Sequence, residues 1–150
     1  MNLTIRNAVP LDVPAILGLI RELAEFEKAP HLVTNTEAQL LEDGFGTHPV
    51  YKSLVAEVDG KVVAFALSYI RYSTWRGRMV YLEDLYVQPA VRSMGIGRAL
   101  MNAKMDYIKS LDIKYMILQV LDWNTPAIRF YETFQGQFDP EWINVLIEVK

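Results

Sequence analysis

The chain has 150 residues, a length typical of one compact domain, so we predict a single domain over residues 1–150. It contains no cysteine, which excludes a disulfide scaffold, thiol catalysis and a cysteine-ligated metal site, and with only two histidines we expect no metal. The net charge of −3 disfavours nucleic-acid binding, which needs a basic surface. No apolar run reaches the roughly 18 residues of a membrane span, and the first residues do not resemble a signal peptide, so we expect a soluble, cytoplasmic protein without a membrane partner.

Apolar residues recur at helical spacing in four segments, and they alternate or form short runs in six others. In chain order the pattern predicts a strand over 3–9, helices over 13–26 and 36–43, strands over 51–58, 61–69 and 78–87, a helix over 95–110, a strand over 114–121, a helix over 125–134 and a strand over 142–149. Asp59-Gly60 predicts a hairpin turn between the second and third strands. Asp12 is predicted to cap the first helix, and Gly44 and Gly46 are predicted to end the second.

This order places a meander of antiparallel strands before a strand–helix–strand unit. It predicts an α/β protein with a mixed, mostly antiparallel sheet and helices on both faces. The segment 114–121 is apolar almost throughout, which is typical of a strand buried on both faces.

A short glycine loop, Arg92-Ser-Met-Gly95-Ile-Gly97, joins the strand that ends near Val87 to the helix that follows. Glycines let the backbone approach a ligand, and the first turn of a helix offers amide groups and a positive dipole end. Arg92 and Arg98 can add charge-assisted contacts. The loop therefore suits a pyrophosphate.

The loop has three other interpretations. A P-loop needs Gly-Lys-Ser/Thr, whereas Arg98 and Ala99 follow Gly97. A dinucleotide fingerprint needs three glycines in the first strand–helix turn, and this loop has two, late in the chain. The third interpretation is a helix start that binds no ligand.

The Arg-x-x-Gly-x-Gly pattern resembles the acyl-CoA-binding motif of the GCN5-related N-acetyltransferases, the GNAT superfamily. Further segments resemble its spermidine/spermine N-acetyltransferase group, and two of them are more similar to the thialysine Nε-acetyltransferase branch. The group-level segments are Glu42-Asp-Gly-Phe-Gly, Leu54-Val-Ala-Glu, Tyr81-Leu-Glu-Asp and Asn124 with Phe130-Tyr131, and the branch-level segments are Tyr72-Ser-Thr-Trp-Arg-Gly-Arg and Val120-Leu-Asp-Trp-Asn.

The resemblance implies a GNAT fold and an acetyl-CoA-dependent N-acetyltransferase that acts on a small-molecule primary amine. It implies that Glu83 lines the acceptor site and accepts the amine proton, directly or through water, and that Tyr131 is the general acid for the leaving thiolate. Strand alternation predicts that Glu83 and Asp84 point to opposite faces of the sheet, so Asp84 is expected to be structural or peripheral.

The resemblance also implies the remaining site residues. Asn124 is expected either to cap its helix or to bind the pantetheine amides. The expected cofactor-binding residues are Leu85, Tyr86, Val87, Arg92, Ser93, Met94, Gly95, Ile96, Gly97, Arg98, Asn124, Pro126 and Ala127. The expected substrate-binding residues are Phe26, Glu27, Trp75, Glu83 and Glu141.

The sequence leaves alternatives for the identity of the acceptor amine. Ser73 stands where the polyamine-acetylating branch carries an acidic residue, which favours a thialysine-like amino acid or diamine over spermidine or spermine. A non-catalytic acetyl-CoA-binding module is a further alternative, although both Glu83 and Tyr131 are present. The resemblance also implies a homodimer, and residues 143, 145, 147 and 149 alternate as an apolar strand face that could associate.

Overall fold

A computed structural model describes all 150 residues and contains one five-stranded sheet. The strands lie in the order β1-β2-β3-β4-β5; the first four pair in antiparallel fashion and β5 runs parallel to β4. Their bounds are Leu3–Asn7 for β1, Lys52–Val58 for β2, Lys61–Ser73 for β3, Gly77–Val87 for β4 and Met116–Leu118 for β5. The predicted mixed, mostly antiparallel α/β sheet is confirmed.

Four α-helices accompany the strands: α1 over Val13–Phe26, α2 over Glu37–Phe45, α3 over Ile96–Ser110 and α4 over Thr125–Glu132. Helix α1 buries Ile16 and Leu19 against Val55, Phe65 and Leu67, which belong to one face of the sheet. Helix α3 packs on the opposite face, where its Lys104 reaches Ser68, the residue next to Leu67 in β3. Because successive strand residues point to opposite faces, the two helices cover the sheet from both sides, as predicted.

Two local turns follow directly from the sequence. Asp59 and Gly60 both adopt positive φ angles, 52° and 83°, in the β2–β3 hairpin, as the Asp-Gly dipeptide predicts. Thr36 caps α2 by accepting a hydrogen bond from the Gln39 amide at 3.1 Å.

The main departure from strand alternation is a bulge in β4. Leu67 pairs with Asp84 while the next residue, Ser68, pairs with Leu82, so Glu83 is an extra residue in β4. A bulge of this kind changes the direction in which the following side chains point.

Several predicted elements differ from the structure. Of the two glycines predicted to end the second helix, Gly46 is the C-cap of α2, whereas Gly44 lies inside the helix. Asp12 occupies the N-cap position of α1, but its side chain makes no cap bond to that helix and instead pairs with Arg6 at 2.7 Å. Strand β5 has only three residues, and it lies at the sheet edge beside β4 alone, so the prediction of a long strand buried on both faces is wrong.

The predicted last strand is also absent. Residues 142–149 have no regular secondary structure, and Ile143 and Val149 are 87% and 93% exposed. A strand requires a neighbour for its backbone hydrogen bonds, and no strand of this chain pairs with that segment.

The chain divides into two units, residues 1–119 and residues 120–150. The first unit holds the sheet with α1, α2 and α3, and the second holds α4 and the C-terminal segment. No helix of the chain has the length and apolar character that a bilayer span requires.

Candidate functional site

The first unit contains an open pocket of about 450 Å³ on the α1 face of the sheet. Its apolar part comes from α1, α2 and the sheet, and its polar part includes three carboxylates and two phenols. The lining residues are Ile20, Asn35, Leu40, Asp43, Val50, Tyr51, Leu67, Tyr69, Glu83 and Asp84. No lysine or arginine lines the pocket, so it suits a cationic ligand such as a protonated amine.

The bulge in β4 brings Glu83 and Asp84 into this same pocket. The prediction that they point to opposite faces is therefore wrong. Regular alternation would separate two consecutive side chains, but the extra residue lets both face α1. Sequence reasoning missed Asp84 for this reason.

Asp84 is the most strongly perturbed acid of the pocket. Burial, followed by the negative charges of Glu83 and Glu27, raises its pKa to about 7, and no hydrogen bond or cation opposes the rise. A carboxyl group in this condition can hold or accept a proton near neutral pH, and an incoming ammonium group would stabilise its ionised form.

Glu27 and Tyr69 complete the surroundings of Glu83. Burial and the charge of Glu83 raise the pKa of Glu27, at the C-terminal end of α1. The Tyr69 hydroxyl donates a hydrogen bond to Glu83 Oε1 at 3.2 Å, and burial together with Glu83 raises the pKa of Tyr69 to about 12. The structure thus brings the predicted Glu27 and Glu83 together with Tyr69 and Asp84, which were not predicted.

The glycine loop after β4 has the backbone geometry that a phosphate cradle needs. Gly95 has φ 79°, and a Cβ at this position would meet nothing within 4 Å, so the space beside it is open to a ligand. Helix α3 has no side-chain cap, and its first backbone bond runs from the Ala99 amide to the Gly95 carbonyl. The preceding amides of Ile96 and Gly97 therefore have no helical acceptor and fit an anionic group.

Ser93 is a second left-handed position in this loop, with φ 65°. This conformation favours glycine over serine, so the loop contains a local strain between Arg92 and Gly95. Met94, like Ser93, is exposed to solvent.

Arg92 folds back toward the strand end. Its Nε donates a hydrogen bond to the Val87 carbonyl at 2.8 Å, and its guanidinium lies over the rings of Phe26 at 5.8 Å and Tyr86 at 5.4 Å. Phe26 thus contacts a predicted cofactor residue and is absent from the pocket lining. The Tyr86 hydroxyl donates to Glu22 at 3.3 Å, which fixes the ring at the end of β4.

Trp75 is not brought to the pocket. It lies at the tip of the β3–β4 hairpin and is 85% exposed. Glu83 is eight residues further along the chain, and each strand residue advances the backbone by about 3.3 Å. The structure therefore separates Trp75 from Glu83 within one chain.

The second unit contains the other predicted residues. The Asn124 side chain accepts a hydrogen bond from the Ala127 amide at 3.3 Å, so it caps α4, with Pro126 in the first turn. Tyr131 lies on α4 and its ring contacts Phe130 at 5.3 Å. After α4 the chain turns through Gln135, and Glu141 lies in the exposed C-terminal segment, where its amide bonds to Asp139.

Comparison with known proteins agrees with these features. The profile of the acetyltransferase (GNAT) family matches residues 17–136. A thialysine N-epsilon-acetyltransferase from Mus musculus is 41% identical over 141 residues, covering 89% of this chain and 83% of the relative. A spermidine/spermine N(1)-acetyltransferase-like protein 1 from Homo sapiens is 38% identical, covering 90% of this chain and 20% of the relative.

A solved structure supports the fold. An aminoglycoside acetyltransferase from an uncultured soil metagenomic sample superposes with a TM-score of 0.79 at 19% identity, covering 99% of this chain and 97% of the other. Identity at that level concerns the fold alone. On the profile match and the relatives together, this chain belongs to the acetyltransferase (GNAT) family and is an N-acetyltransferase.

Proposed function

We propose that this enzyme transfers an acetyl group from acetyl-CoA to the primary amine of a small molecule, a thialysine-like amino acid or a diamine. The observation that carries the proposal is the pocket in which Glu83 and Asp84 lie together without a lysine or arginine in the lining. The 41% identity to a thialysine N-epsilon-acetyltransferase supports the amino-acid class.

The glycine loop would hold acetyl-CoA through the amides of Ile96 and Gly97, next to the left-handed Gly95. When bound, acetyl-CoA supplies an activated thioester carbonyl. The loop begins directly after β4, the strand that carries Glu83 and Asp84. The carbonyl and amide groups of Leu85, Tyr86 and Val87 remain the proposed contacts for the pantetheine arm, and Arg92 would have to release the Val87 carbonyl for that contact.

The acceptor amine is mostly protonated at neutral pH, so it must lose a proton before it attacks. We assign this step to Glu83, directly or through water, with Asp84 beside it as a second carboxylate that holds the ammonium group. Tyr131 is proposed as the general acid that protonates the leaving thiolate. The reaction then forms the amide bond and breaks the thioester bond. Of the two protons that the ammonium group loses, one balances the proton that Tyr131 gives to the thiolate and the other is released to solvent through Glu83.

A polyamine acceptor is the second candidate, because the chain is also 38% identical to a spermidine/spermine acetyltransferase-like protein. We propose further that residues 1–150 act as one cytoplasmic catalytic domain and form a homodimer. The support for the dimer is the segment 142–149. Its apolar side chains are exposed, and no strand of the same chain pairs with its backbone.

The test of the catalytic assignment is Tyr131→Phe, which keeps the ring and removes the hydroxyl. We expect kcat with acetyl-CoA and thialysine to fall roughly 10²–10⁴-fold, the usual scale of acid–base catalysis, with little change in acetyl-CoA affinity. Tyr115→Phe is the matched control, since this exposed tyrosine contacts Arg76 and should retain full turnover. Full turnover of Tyr131→Phe across the pH range would show that another group is the acid.

A further inference from the structure

Arg71 lies beyond the pocket on the same face of the sheet. Leu67 and Tyr69 of β3 line the pocket, and Arg71 is the next residue of that strand with the same orientation. Its position extends the candidate site along β3, away from the bulge in β4.

An ordered set of aromatic contacts connects Arg71 to Glu83. The Arg71 guanidinium lies 5.5 Å from the centre of the Tyr81 ring. Tyr81 stacks on Tyr69 with ring centres 5.4 Å apart and planes 26° apart. The Tyr69 hydroxyl in turn donates to Glu83 Oε1 at 3.2 Å. One face of the sheet therefore carries a carboxylate, two stacked phenol rings and a guanidinium in sequence.

The guanidinium has no anionic partner in the protein. The salt bridges of the chain involve Arg6, and Arg71 makes no hydrogen bond to any other residue. Its contact with the Tyr81 ring restrains it at the exposed end of the face, where its five N–H donors remain available. A planar fork of donors fits a carboxylate in a bidentate arrangement.

We propose that Arg71 is a specificity-determining residue that binds the carboxylate of an amino-acid acceptor while the side-chain amine of that acceptor lies at Glu83 and Asp84. The inference rests on the proposed function and deepens it by selecting the amino-acid class over diamines and polyamines. Tyr69, whose hydroxyl donates to Glu83, and Arg71 are two residues apart on one strand, so their backbones are about 7 Å apart. A diamine or polyamine would instead place its second ammonium group near the guanidinium, where like charges repel.

The experiment compares two acceptors that differ only in the carboxylate: thialysine and bis(2-aminoethyl) sulfide. For each we would measure kcat/KM with saturating acetyl-CoA in the wild type and in Arg71→Gln. We expect the ratio of thialysine to diamine kcat/KM to fall roughly five- to tenfold in Arg71→Gln, mainly through a higher KM for thialysine. Arg71→Lys keeps the positive charge but not the planar pair of N–H donors. Its ratio of thialysine to diamine kcat/KM should lie between those of the wild type and Arg71→Gln.

Arg76→Gln is the matched control, because Arg76 also lies over a tyrosine ring, that of Tyr115 at 5.1 Å, at the tip of the same hairpin. It should leave the ratio unchanged. If the wild type acetylates both acceptors and Arg71→Gln keeps the wild-type ratio, the role of Arg71 is wrong while the proposed function stands. If the wild type acetylates no small amine with acetyl-CoA, the proposed function itself fails.

Discussion

Asp84 and Lys104 are two titratable residues on opposite faces of the central sheet, and the fold surrounds them in opposite ways. Asp84 lies on the α1 face and Lys104 on the α3 face. Burial brings both pKa values to about 7, raising that of Asp84 from its ordinary 3.8 and lowering that of Lys104 from its ordinary 10.5. The same physical cause therefore acts on both groups.

Lys104 and Asp84 differ in their hydrogen-bond partners and in the charges around them. Lys104 Nζ donates to Ser68 Oγ at 2.8 Å and to the Lys52 carbonyl at 3.3 Å, and it lies 5.3 Å from the Tyr107 ring centre. Asp84 has no such partner, faces two other carboxylates and opens onto the pocket. The fold gives the Lys104 ammonium group two hydrogen-bond acceptors, whereas it gives the Asp84 carboxyl group no hydrogen-bond partner and no cation. Burial of an ionisable group is therefore not enough to indicate a functional role. A buried ionisable group that lacks a counter-charge and lies beside a pocket does indicate one.

The sharpest test of this contrast is Asp84→Asn. If Asp84 holds the acceptor ammonium beside Glu83, we expect kcat/KM for the amine to fall about 10²-fold, with unchanged acetyl-CoA affinity. Asp43→Asn is the control, because Asp43 lines the same pocket from α2 but accepts a hydrogen bond from Gln39 at 3.0 Å. We expect a much smaller effect there, and an equal loss in both variants would remove the special role of Asp84.

The same variant should also change stability. The folded protein holds a proton on Asp84 up to about pH 7, whereas the unfolded chain releases it near pH 3.8, so the free energy of unfolding falls as pH rises between these values. Asparagine does not titrate, so the free energy of unfolding of Asp84→Asn should not fall in this way. Above pH 7 it should exceed the wild-type value by on the order of 2–4 kcal/mol. Thermal and urea unfolding at pH 5 and pH 8 would measure it. A difference that does not grow with pH would contradict the assigned pKa.

Lys104→Met tests the other face. The folded protein releases the Lys104 proton near pH 7 and the unfolded chain near 10.5, so the wild type should gain stability as pH rises through this window. We expect a gain on the order of 2 kcal/mol between pH 7 and pH 9 that is absent in Lys104→Met. Lys109→Met is the control, since Lys109 is exposed on the same helix. Activity should stay within about twofold of the wild type, since Lys104 belongs neither to the lining of the α1-face pocket nor to the glycine loop. A large loss of kcat would show that Lys104 serves the reaction.

The contrast also explains what the sequence could and could not predict. The Asp-Gly turn, the glycine loop before α3 and the antiparallel meander depend on local signals, and the structure contains all three. The neighbourhood of Glu83 depends on one extra residue in β4. Period-two alternation does not reveal a bulge, so it predicts the wrong face for Asp84. The segment 142–149 has a strand-like pattern, but a strand also needs a neighbour, which a pattern within one segment does not provide.

The smallest expected effect lies at the exposed end of the α1 face, at Ser73. Ser73 Oγ accepts hydrogen bonds from the amides of Trp75 at 3.2 Å and Arg76 at 3.1 Å, so an aspartate there can keep the turn while adding a charge. Ser73 follows Arg71 by two residues on the same face, about 7 Å along the strand, so a carboxylate at this position can pair with the guanidinium and compete with a substrate carboxylate.

We therefore expect Ser73→Asp to shift the kcat/KM ratio several-fold from thialysine toward spermidine, because an exposed ion pair is worth on the order of 1 kcal/mol. Ser73→Asn keeps a turn acceptor without the charge and should leave the ratio near the wild-type value. The shift should also shrink with added salt, since screening weakens exposed charges far more than buried ones. A wild type that prefers spermidine to thialysine would contradict the amino-acid preference, and the charge of Asp84 would then serve a polyamine.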